Sequence, residues 1–270
     1  MLNKVQLKAR KFLKGILPNK IIWLYNKVLC KVLDYRYYDH ILPLYPNCEA
    51  AFQFQRYFGF VESSLFTWCA AVSFDGFIDA IENTKKIFSN GIIPKFDWGN
   101  MLQCKETGLA FHGYLTKEEL LDQAGNADEE KIKIEYAKVI SRVKHLARKL
   151  EMTWASNDTQ LYILSCNEYF HKFTCDEINR IYEVLKSKSK NAGLLVIVKE
   201  KELYEEALDR YYLSKDIIIR KIEKWTPPND VTALQLSDEE GWHNIFKRFK
   251  TKNLNQEGKK YKFERLAKFA

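Results

Sequence analysis

Six cysteines and five histidines are the residues in this 270-residue chain that could supply a nucleophile and a base. The cysteines are Cys30, Cys48, Cys69, Cys104, Cys166 and Cys175. They form no CxxC pair and no Cys/His spacing of a zinc site, so no metal centre is expected. An even count in a chain this long is not a disulfide framework, and reduced thiols are expected. Cys48 stands out because it opens a helical pattern. NCEAAFQFQRYFGF (47–60) reads as a helix, with Asn47 as N-cap, Glu49 in the first turn and Gly59 at the end. A thiol at that first turn faces backbone N–H groups and the positive end of the helix dipole, which favour the thiolate and lower its pKa. The same N–H groups could hold an oxyanion formed on an attacked carbonyl. Such chemistry needs a histidine base, itself oriented by a carboxylate or amide. The plainer alternative is that Cys48 is a small buried hydrophobe.

Among the histidines, His112 comes after the apolar stretch GLAF and precedes Gly113, which places it at a strand end in a tight turn. His40 stands just before the first strand and could lie near Cys48. His145 sits mid-helix between Lys144 and Arg148, a surface context, and His171 and His243 carry no special signal. No GxGxxG, GxxxxGK[ST], GxSxG or HExxH occurs, which argues against a nucleotide-loop enzyme, a serine hydrolase of the usual kind or a zinc protease.

The elements that must position these groups alternate. HILPLYP (40–46) reads as a buried strand and turn, and residues 76–90 as a helix stopped by Gly91. FDWGNMLQ and GLAFHGY read as short strands or loops. Thr116 to Glu119 fits a capping box, and residues 130–150 form a long amphipathic helix. Further strands are expected at 161–165, 193–199, 216–223 and 231–236. Helices are expected at 174–188, opened by Thr174 and Glu177, and at 237–249, opened by Ser237 and Glu240. This is an α/β pattern: a central sheet flanked by helices.

Charge divides the chain into a basic amphipathic helical segment (1–38), an α/β body (39–250) and a basic tail (251–270). Residues 1–36 carry nine Lys/Arg against Asp34, and 247–270 carry nine against Glu257 and Glu264, around an acidic middle. Nucleic-acid binders spread basic residues over a working face, so no nucleic acid is expected. Anionic lipid headgroups suit the N-terminal segment better, with Trp23 and Tyr25 as belt residues. Docking of that segment on its own domain or on a partner subunit is the competing reading. No run approaches the roughly 20 apolar residues that span a bilayer, and Lys interrupts the N-terminal apolar residues, so a cytoplasmic protein peripheral to the inner membrane is expected.

LPLYPNCEAAFQFQRYFGFVESSLFTW (42–68) resembles the opening block of an uncharacterised bacterial family of papain-like cysteine peptidases. Asn47 and Cys48 match its Asn-Cys pair, Gln55 and Arg56 its next helix, and Phe66 and Trp68 its aromatic pair. GLAFHGY, YAKVISRVKHLARKL, LYILSCNE and GWHNIFKRF resemble its later elements, so the likeness runs over about 40–250. Thr67 stands where the family has aspartate, and Tyr45-Pro46 where it has a glycine-containing turn. The resemblance implies a papain-like sheet with Cys48 as nucleophile and His112 as base. Asp158, Asn167 and Glu168 flank the 161–165 strand as third members, with Asn167 preferred because α/β sites form at strand ends. It also implies work on bacterial surface polysaccharide or a lipid-linked glycan precursor. The expected reaction is acyl (acetyl) transfer, with coenzyme A thioester as a candidate donor, or hydrolysis. Arg56, Arg142 and Lys144 are the candidate contacts to donor phosphates. The competing function is a non-catalytic, membrane-associated module of a polysaccharide assembly complex.

Overall fold

The computed structural model describes residues 36–44, 48–59, 62–71, 73–95, 100–116, 118–122, 128–225 and 238–251. The expected N-terminal amphipathic helix and the 231–236 strand lie outside them, as does the C-terminal tail beyond Thr251.

Four strands form a parallel sheet in chain order: β2 (His40–Pro43), β7 (Gln160–Ser165), β8 (Ala192–Val198) and β9 (Ile217–Lys221). The register pairs Leu161 with Ile41 and Gly193, and Val196 with Leu164 and Ile219. Every residue of β7 and β8 is buried, the mark of strands covered on both faces. Side chains alternate between two cores. Tyr162, Leu164, Leu194, Val196 and Ile219 face helices α3 (Glu129–Ala155), α4 (Cys175–Lys188) and α5 (Lys201–Tyr211). Leu161, Ile163, Leu195, Ile197 and Ile218 face α1 (Glu49–Phe58) and α6 (Glu239–Phe246), through Ala50, Phe54, Phe58, Trp242 and Phe246. Each fully buried Leu or Ile in these layers contributes about 1.5–3 kcal/mol.

A second sheet is antiparallel, in the order β3 (Cys69–Ala71), β6 (Leu109–His112), β5 (Met101–Cys104), β4 (Ile92–Lys95). It shares the first core through Cys69, Leu102, Cys104, Leu109 and Phe111, together with α2 (Phe74–Glu82). β1 (Arg36–Tyr38) pairs in parallel with β10 (Phe249–Thr251). Arg36–Tyr38 is therefore strand, where the sequence pattern put the end of a helical segment. The fold is α/β, with a parallel and an antiparallel sheet flanked by helices.

Several expected caps form where the sequence places them. Thr174 and Glu177 make the full reciprocal box on α4, and Gly59 ends α1 in the left-handed region with φ 77°. Two caps move by one residue. Cys48 itself, not Asn47, is the N-cap of α1, and Asp238, accepting from Gly241 N, caps α6 in place of Ser237. The expected 76–90 helix starts earlier, capped by Ser73, and stops at Glu82, with a 3-10 turn next at Thr84–Lys86. Among the described residues no helix is long and apolar enough to cross a membrane.

Candidate active site

The loop after β2 delivers Cys48 to the start of α1, beyond the C-terminal end of the parallel sheet, where open α/β sheets form their crevices. The Cys48 side chain makes no cap hydrogen bond. Its environment is the reverse of the one expected at a helix start. The residue is half-buried, and burial around the sulfur pushes the thiol up to about 12. The sulfur is close enough to the Cys69 thiol for their charges to interact, and Cys69 is raised as well, first by burial. Phe52, one turn along α1, meets Trp68 edge-on at 5.0 Å and fixes the helix against the segment leading into β3. Cys48 at rest is therefore a protonated thiol.

Glu49, fully buried, stands in the same first turn. Asn167, also fully buried and just beyond the end of β7, donates from Nδ2 to Glu49 Oε2 at 3.1 Å. Asn167 also organises its own loop: its Oδ1 accepts from Tyr169 N, and its carbonyl from Phe170 N and His171 N. The expected third member is thus bonded to Glu49, the residue next to Cys48, rather than to a histidine.

His112 closes β6. Cys69 pairs with Phe111, so His112 is the next residue along from the partner of the cysteine that neighbours Cys48. Among the described residues no hydrogen bond joins His112 to Cys48. The imidazole reaches solvent at the strand end but is crowded by protein; burial first, then the Arg142 guanidinium, lowers its pKa. It is neutral at neutral pH, as a general base must be.

The three candidate phosphate contacts have other surroundings. Arg56 pairs with Glu239 of α6 at 2.6 Å and lies about 12 Å along α1 from Cys48. Arg142 donates to the His112 carbonyl and lies over the Tyr114 ring at 4.5 Å. Lys144 is exposed on α3. Among the described residues no group of three or more His, Cys, Asp or Glu side chains is placed to hold a metal ion.

Two charged clusters were not legible as units. Next to Asn167, Lys199 binds Glu168 at 2.6 Å where β7 and β8 end. Burial, then a hydrogen bond with Glu168, raises the Glu200 carboxyl to about 7. Burial alone would raise Glu168 too, but the bonds from Glu200 and Lys199 lower it, so the two carboxyls share one proton. At the opposite end of the sheet, His40 bridges Glu62 (3.0 Å) and Asp158 (3.1 Å), on the edge of an open cleft of about 590 Å³ that Arg148 and Lys149 also line. Both ring nitrogens of His40 are taken, Nδ1 by Glu62 and Nε2 by Asp158, so Asp158 belongs to His40 and neither nitrogen is directed to the thiol.

Comparison with family models, with curated proteins and with solved structures finds no match.

Proposed function

We propose that the chain is a cysteine-dependent acyl-transfer or hydrolytic enzyme, with Cys48 as nucleophile and His112 as general base. The observation that carries this reading is the double relationship of Cys69: its thiol interacts with that of Cys48, and its backbone pairs with Phe111, the residue before His112. By register, His112 is one residue beyond the cross-strand partner of the cysteine whose thiol neighbours that of Cys48. The chemistry differs from a preformed thiolate–imidazolium pair. The proton leaves Cys48 as sulfur attacks, so His112 acts as it would on a serine hydroxyl. With a thioester donor, the new bond joins Cys48 Sγ to the acyl carbon. The bond from that carbon to the donor sulfur breaks, and the proton taken by His112 passes to the departing thiolate. First-turn N–H groups of α1 are suited to the oxyanion. Kinship with papain-like peptidases, a coenzyme A donor and a surface-polysaccharide or lipid-linked glycan acceptor at the inner membrane belong to the same proposal. They rest on the Asn47-Cys48 and GLAFHGY resemblance.

One observation favours a second reading. A thiol raised to about 12 by burial is also what a core cysteine shows, and that suits a non-catalytic module of an assembly complex. Incubation of the folded protein with acetyl-coenzyme A, with peptide mass spectrometry as the readout, separates the two. The enzyme reading expects an acetyl group on Cys48 that is lost in His112→Ala. No adduct on Cys48, together with iodoacetamide reaching it only after unfolding, would leave the module.

A further inference from the structure

We propose that Glu135 and Arg142, two turns apart on α3, are positioning residues for His112, and that an acid rather than an amide at residue 135 serves this role at a cost in stability. The inference rests on the reading of His112 as the base. Glu135 is fully buried. Its Oε1 accepts from the backbone N–H groups of Tyr114 and Leu115, the latter at 3.0 Å, and so holds the turn just after His112. Arg142 grips the same turn from the other side, donating to the His112 carbonyl and covering Tyr114. Asn100 completes the clamp, taking Gly113 N on its carbonyl at 2.7 Å and donating from Nδ2 to Leu115 O at 2.7 Å. Every backbone group from His112 to Leu115 that these three residues touch is thereby fixed.

The chemistry of residue 135 shows more than a staple. Glu135 Oε2 and Asn100 Oδ1 are both buried without a hydrogen-bond partner, and both side chains press against Gly113. Two unpartnered acceptors on adjoining side chains are unfavourable. A glutamine would keep Oε1 as an acceptor and bring an N–H₂ donor to the place where none stands. A purely structural role would be served better by that amide. What the acid offers in place of the amide is its acceptor strength toward the two N–H groups of the turn.

The test uses the full chain, reading Cys48 acetylation by acetyl-coenzyme A, the His112 titration by NMR and the melting temperature. Glu135→Gln is expected to melt at or above the wild-type temperature, yet to acetylate Cys48 at least tenfold more slowly. Arg142→Ala, at a half-buried helix position that should tolerate it, is expected to move the His112 titration up towards the ordinary value of about 6.5 and to slow acetylation similarly. Arg142→Lys should keep the titration low but not restore the rate. Wild-type rates in Glu135→Gln and Arg142→Ala, with His112→Ala inactive, would overturn the proposal and leave the functional reading standing. If His112→Ala leaves the Cys48 adduct unchanged, the functional reading fails instead, and an unmoved His112 titration in Arg142→Ala would overturn the clamp as well. Should Glu135→Gln not fold, the same criteria apply to Arg142→Ala.

Discussion

Asn167 donates its side-chain amide to the carboxylate of Glu49 at 3.1 Å, joining the end of β7 to the first turn of α1 across 118 residues of sequence. Both side chains are fully buried. A buried carboxyl group needs donors, and the Asn167 amide is one of them. The pair therefore sets where the Cys48 backbone sits relative to the sheet.

Removing the amide should cost about 1–3 kcal/mol, because Asn167→Ala leaves a buried acceptor short of a donor. Urea unfolding of the two proteins checks this. Asn167→Asp should cost more at neutral pH, since it sets two carboxylates side by side, and part of that loss should be recovered in mild acid. Equal midpoints for wild type and both variants would mean that Glu49 is satisfied without Asn167.

His40 should stabilise the fold in a pH window. Its hydrogen bond to Glu62 leads the causes that raise its pKa in the folded state, with Asp158 adding to it. A base raised on folding contributes stability that is fully present below the unfolded value, about 6.5, and is lost as pH rises through the folded value. Burial works to raise Glu62, but His40 and Lys149 outweigh it and lower it, so the ion pair persists well into mild acid. The melting temperature of wild type minus that of His40→Gln should be largest near pH 5.5 and shrink above neutrality. A difference that grows with pH would show that the histidine is not held protonated.

The central sheet was legible because β7 and β8 are runs of apolar residues that only a two-sided core explains, and α4 because Thr174 and Glu177 announce its start. β3, β4 and β10 are three or four residues long, too short for a period to show. α5 buries only Ala207 and Tyr211 along eleven residues, so its apolar stripe is faint. His112 was readable as a strand-end residue from its glycine neighbour. The state of Cys48 was not readable. The helix-start argument lowers a thiol, whereas burial around the sulfur reverses the sign, and that burial comes only with the tertiary fold. Glu49 and Glu135 carried no signal either, since acids in helices normally face water and only the tertiary fold shows that these do not.

The Glu168–Glu200 pair makes the opposite pH prediction to an ordinary surface carboxylate. Glu200, raised to about 7, binds its proton more tightly in the folded protein than the free side chain does. The stability this confers is complete below about 4.3 and is lost as pH rises through about 7, where ionisation would set two charges together. Glu200→Gln removes that loss. After allowance for solvent screening of a partly exposed group, the gain above pH 8 should be about 1 kcal/mol, or roughly 2–4 °C in melting temperature. It should disappear near pH 5. Melting curves of the two proteins from pH 5 to pH 9 decide it, and parallel profiles would rule out the shared proton.

Gly113 ties His112 to the side chains that hold its turn, and its substitution separates position from presence. A Cβ there would stand 2.8 Å from Glu135 Oε1 and 2.8 Å from Asn100 Cγ, and nearer still to the Asn100 amide nitrogen. Asn100 is fixed by its bond to Leu115 O and Glu135 by two backbone donors, so neither can retreat without breaking the turn. Gly113→Ala should therefore cost about 1–3 kcal/mol, the usual range for an overpacked site. His112 remains in the chain but loses its fixed carbonyl contact with Arg142. The His112 titration should then drift upward as that charge moves off, which NMR can track beside the urea midpoint. A variant with unchanged stability and an unshifted His112 would mean that the turn yields freely, and that the packing of Asn100 and Glu135 around residue 113 does not set the place of the imidazole.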